Sequence, residues 1–75
     1  MVPKSSNNLA VRDKNGIEIF DLNKVVSIFA SDDDFKINIY FDCNHSLFLF
    51  YNSKKEMVKI RDILISKLEA ELIEL

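Results

Sequence analysis

Phe35-Lys36-Ile37-Asn38-Ile39-Tyr40-Phe41-Asp42 alternates apolar with polar or amphipathic side chains without a break. Successive side chains of a β-strand point to opposite faces, so the stretch reads as a strand with Phe35, Ile37, Ile39 and Phe41 on a core face. Lys36, Asn38, Tyr40 and Asp42 fall on the other face. Working outward, Asp32-Asp33-Asp34 breaks the chain before it, and residues 25–30, rich in β-branched side chains, read as the preceding strand. Residues 42–45 supply turn chemistry, and residues 46–51 form a further strand.

Towards the N-terminus, residues 9–12 and 17–20 read as two strands around Asp13-Lys14-Asn15-Gly16, where Asn and Gly tolerate the positive φ of a tight hairpin. Ile17 and Ile19 share one face of the second strand. Residues 21–24 are polar apart from Leu22 and read as a turn or a single helical turn. Towards the C-terminus the period changes from strand to helix. Ser53 and Glu56 stand at capping-box spacing, and Met57, Ile60, Leu64, Leu68, Leu72 and Leu75 recur at helical intervals, with Val58 and Ile65 beside them. A helix from Lys54 to about Glu74 is expected. The fold class is α+β: a small antiparallel sheet of four or five strands with one C-terminal helix packed on one face. Residues 1–8 read as a flexible tail and residues 9–75 as a single small domain.

Composition bounds the function. The chain has 75 residues, 48% hydrophobic and 29% charged, which is ordinary globular usage and excludes disorder throughout. A single Cys excludes an internal disulfide framework, so a core this small has to hold without covalent staples. Self-association is one common remedy. The net charge of −2 argues against a nucleic-acid partner. Residues 1–8 lack the apolar run of a secretory signal, and the longest apolar run, residues 47–51, falls far short of the roughly 20 residues that span a bilayer. A cytoplasmic location without membrane contact is expected. Frequent Asn, Ile and Lys suggest AT-rich coding, as in some bacteria and their phages; a phage-encoded chain would work in the host cytoplasm.

Chemistry-bearing constellations are sparse. Cys43 and His45 flank a turn beside Asp42, but a closed zinc site needs four ligands and the chain holds one Cys and one His. Counted from Asp32, a calcium-loop template places its required Gly on Ile37 and its bidentate Glu on Cys43, so it fails. Gly16 is the only glycine, which leaves no phosphate-cradling loop. Phe20, Phe29, Tyr40, Phe48 and Phe50 suit base stacking in kind, but 10 basic residues stand against 12 acidic ones and do not cluster. No catalytic residue, metal ligand or cofactor is expected, and the chain reads as a non-enzyme.

Two features exceed what a closed core needs. In residues 46–51, Leu47, Leu49 and Tyr51 point one way while Phe48 and Phe50 point the other, and one helix covers one sheet face. On the helix, Arg61 projects into the apolar stripe between Leu68 and Leu72, where its stem packs and its head snorkels or meets a partner carboxylate. Ile63 and Ile73 lie outside the stripe. Phe29, Tyr40, Phe48, Phe50, Arg61, Ile63 and Ile73 are the candidate interface. These features point to a protein–protein interaction module acting as a homo-oligomer. The alternatives are a phage or mobile-element inhibitor covering a host defence or regulatory protein, and a small-molecule sponge or sensor with ligand held between subunits.

Overall fold

The computed structural model describes residues 7–73. Asp13 pairs with Gly16 across the turn that joins β1 (Asn8–Asp13) to antiparallel β2 (Gly16–Asp21). The Asp13 Oδ1 accepts from the N–H groups of Asn15 and Gly16 at 2.9 and 3.0 Å, and Gly16 sits at φ +153°, a conformation that only glycine adopts without strain. A 3₁₀ turn (Leu22–Lys24) buries Leu22, and Asp21 caps it by accepting from the Asn23 N–H. Then β3 (Val25–Ser31), β4 (Lys36–Phe41) and β5 (Ser46–Phe50) form an antiparallel meander. The helix α1 (Lys54–Lys67) follows. The fold is α+β, with its five strands divided into a hairpin and a three-stranded sheet.

The core lies where both sheets meet the helix. Ile37, Ile39, Leu49, Met57 and Leu64 are fully buried, joined by Val11, Phe20 and Leu22 from the hairpin side and by Tyr51. Phe20 meets Phe41 edge-on at 5.8 Å between ring centroids, which ties the hairpin to the meander. Phe35 opens the expected strand by sequence, yet it stands at φ +53° in the preceding turn and packs on the core from there. Its carbonyl accepts from the Tyr51 N–H at 2.9 Å.

The N-terminal boundary of the domain lies slightly earlier than expected. Asn8 opens β1 opposite Asp21, and the Asn7 carbonyl accepts from the Leu22 N–H at 2.9 Å. Residues 1–6 of the expected tail lie outside the described residues.

The helix begins as its sequence requires. Ser53 Oγ accepts from the Glu56 N–H at 3.2 Å, while Glu56 Oε1 reaches back to the Asn52 N–H, one residue earlier than a standard capping box. The end differs. The expectation of a helix to about Glu74 is corrected: α1 stops at Lys67, because Glu69 turns to φ +55° and the Glu69 and Ala70 amides bond back to Ser66 and Ile65. This reversed pair of bonds is a Schellman stop, which closes the last turn. Leu72 and Ile73 therefore lie beyond the helix, and residues 74–75 fall outside the described residues.

Candidate interaction face

Cross-strand register decides which side chains meet. In the meander, Ile28, Ile39 and Leu47 stand in one row and Ala30, Ile37 and Leu49 in the next, all facing the core and helix. The rows between them face outward: Phe29, Asn38 and Phe48 form one, Ser27, Tyr40 and Ser46 a second, and Ser31, Lys36 and Phe50 a third. Directly opposed side chains are close neighbours, so these rows make a continuous outer surface.

That surface is aromatic and open to solvent. Phe29, Phe48 and Tyr40 are 58%, 45% and 40% exposed, and Phe50 is half-buried beside them. Phe48 and Phe50 lie 6.1 Å apart with tilted rings, and Lys36 Nζ sits 5.5 Å above the Phe48 ring. An exposed cation over a ring contributes about 0.5–1 kcal/mol and leaves the opposite side of the ring free. At the centre, Asn38 donates from Nδ2 to Tyr40 Oη at 3.3 Å, while its Oδ1 is covered and has no hydrogen-bond partner.

Four of the candidate interface residues, Phe29, Tyr40, Phe48 and Phe50, are thus brought together on one face. The others are placed elsewhere. Arg61 is half-buried, and its Nε and Nη2 both donate to the adjacent Asp62 at 3.0 and 2.9 Å. It lines a groove of about 590 Å³ between β3 and α1, together with Val25, Ile28, Leu64 and Leu68. Ile63 is exposed on the helix side that faces β1. Ile73 was expected on the helix's outer side; it follows the Schellman stop instead and is 86% exposed. Phe20, counted among the aromatics suited to base stacking, is buried in the core.

Sequence reasoning passed over two further exposed apolar groups. Ile17 and Ile19 stand opposite Arg12 and Ala10 on the outer face of the hairpin. Their placement on one face was readable, but whether that face was covered depended on where the hairpin docks. Val26 is also exposed, because a bulge between Val25 and Ser27 inserts it into β3 as an extra residue.

The remaining polar features serve the fold. Tyr51 Oη donates to the Arg12 carbonyl at 3.0 Å, and its pKa is pushed up to about 12 by burial and by the nearby Asp13 and Glu56 carboxylates. A cleft of about 300 Å³ beside it is lined by Arg12, Lys14, Glu56 and Lys59. Cys43 and His45 occupy the exposed β4–β5 turn, where the Phe41 N–H donates to the His45 carbonyl. Among the described residues no three His, Cys, Asp or Glu side chains converge as a metal site requires, and no helix is long and apolar enough to cross a membrane. No family model, curated protein or solved structure matches this chain.

Proposed function

We propose that the chain is a non-enzymatic protein-interaction module that acts as a homo-oligomer, with the outer face of the three-stranded sheet as a contact surface. The observation that carries this reading is the convergence of Phe29, Tyr40, Phe48 and Phe50 on the sheet face opposite the helix. Fully burying one Phe side chain is worth about 1.5–3 kcal/mol relative to exposure, so several supply a substantial part of an interface. Exposed aromatics on a sheet would otherwise be an aggregation liability.

Light scattering on the purified chain tests it. The expected result is a mass of two or more chains at micromolar concentration, reduced in Phe48→Glu while circular dichroism stays folded. A monomeric mass for the unmodified chain defeats self-association and shifts the face to a heterologous partner, as an inhibitor of a host protein would require. Loss of fold in Phe48→Glu would reassign Phe48 to the core.

A further inference from the structure

The free edge of the meander carries a second, independent signal. The sheet order is β3-β4-β5, so β3 and β5 are its edges. Both backbone groups of Phe50 in β5 are engaged by the hairpin: Lys14 N–H donates to its carbonyl at 2.9 Å, and its N–H donates to Asp13 Oδ2 at 2.8 Å. Among the described residues β3 pairs with β4 alone. An edge strand offers a row of unpaired amides and carbonyls, and protein edges are ordinarily guarded by Lys, Pro, inward charges or bulges. Val25-Val26-Ser27-Ile28-Phe29-Ala30-Ser31 has no charged residue and no Pro, and its bulge at Val26 lies near the start of the strand and leaves Ser27 to Ser31 in regular register. Its core-facing side also leaves a groove of about 590 Å³, walled by Val25, Ile28 and Ala30 on one side and by Leu64, Ile65, Leu68 and the half-buried Arg61 on the other.

Charge at the two ends of the strand identifies the occupant. Lys24 precedes β3 and Asp32-Asp33-Asp34 follows it, all of them exposed. In an antiparallel pair of identical strands, a register centred on Ile28 sets Lys24 opposite Asp32 of the other copy. A register centred on Phe29 sets it opposite Asp34. Either way the lysine of each chain meets the acidic turn of the other, twice per two-fold dimer. Among the described residues the one ion pair is Arg61 with Asp62, so these end charges form no ion pair with another described residue. A parallel pairing would place like charge on like.

We propose that β3 pairs antiparallel with β3 of a second copy, joining two three-stranded sheets into one of six strands, with register set by Lys24 against the 32–34 acidic turn. This rests on the self-association reading and adds to it the edge and its orientation. Main-chain bonds across the edge hold the pair, the two grooves close over the inner side chains of both strands, and the end charges select antiparallel over parallel.

Complementary charge reversal tests it. Lys24→Glu and the double variant Asp32→Lys/Asp34→Lys, which reverses the facing charge in either register, are each made in the full chain, and dimerisation is measured by sedimentation for each variant and for their equimolar mixture. Each variant alone sets like charges together at both ends, and its dimerisation should weaken about tenfold. The mixture forms Glu–Lys at one end and Asp–Lys at the other, and should recover to within about threefold of the unmodified chain. Recovery on mixing supports the proposal, since a merely structural effect of either substitution would not be cured by the other chain. If both variants dimerise like the unmodified chain, or mixing restores nothing, the edge pairing is overturned. If in that case Phe48→Glu still reduces the mass, the self-association reading stands alone. A monomeric unmodified chain overturns both.

Discussion

The carboxylate of Asp13 accepts a hydrogen bond from the Phe50 N–H at 2.8 Å across 37 residues of sequence, while its other oxygen closes the β1–β2 turn. One buried side chain thereby satisfies three backbone donors and fixes the hairpin to the end of β5. Removing it leaves those part-buried donors without their partner. Asp13→Ala should cost about 3 kcal/mol, seen as a lower urea midpoint at unchanged slope. Asp13→Asn should cost roughly half as much, because its single oxygen can keep the turn amides while its NH₂ faces the Phe50 N–H.

Tyr51 makes stability fall in alkali. Its ordinary pKa of 10.0 is pushed up to about 12 in the folded chain. Between those values the unfolded chain releases the phenolic proton and the native chain keeps it, so unfolding is favoured as pH rises. The Tyr51 contribution is complete below pH 10 and is lost as pH rises through about 12. Thermal melts from pH 8 to 12.5 should decline more steeply for the unmodified chain than for Tyr51→Phe. The variant should start lower at pH 8, because the hydrogen bond to the Arg12 carbonyl is gone.

Ser53 caps α1 through the Glu56 N–H. Ser53→Ala should cost about 1 kcal/mol and lower Tm by about 4–8 °C in a domain of this size. Ser53→Asp should be nearly neutral, since aspartate caps as well and its charge suits a helix N-terminus. A melt unchanged by Ser53→Ala would remove the cap from the account of this helix.

Asn38 offers the opposite sign. Its covered Oδ1 has no partner, and an unsatisfied buried acceptor costs about 1–3 kcal/mol. Asn38→Val removes that atom and places a β-branched side chain in the central strand, so Tm should rise by several degrees. A lower Tm would mean that the link from Asn38 to Tyr40 outweighs the stranded oxygen.

Much of this architecture is legible from local pattern. The alternation in residues 36–41 sets which side chains share a face, and the register then delivers Phe29, Tyr40 and Phe48 to the same surface. The helix start is equally local, because its donors and acceptors lie within four residues. The helix end is not. Apolar spacing continues through Leu68 and Leu72, and the stop uses a glutamate in a conformation that usually marks glycine. The role of Asp13 is hidden for another reason: an Asp before Lys-Asn-Gly reads completely as a turn residue, and its second bond reaches a strand far along the chain. Division of the strands into two sheets likewise depends on where the hairpin docks, which no short-range pattern carries.

The bulge at Val26 has a bearing on how the chain tolerates length change. Val25 lies opposite Phe41 and Ser27 opposite Tyr40, neighbouring positions on β4, so Val26 is supernumerary in the ladder. Deleting it leaves both pairings possible and turns no core residue outward, whereas deleting any residue from Ile28 to Ala30 shifts side-chain parity along part of the strand. What the deletion removes is the local twist of an uncharged edge. A straightened β3 would present a regular edge from Val25 rather than from Ser27 onward. The extra valine thus marks where regular pairing along this strand begins.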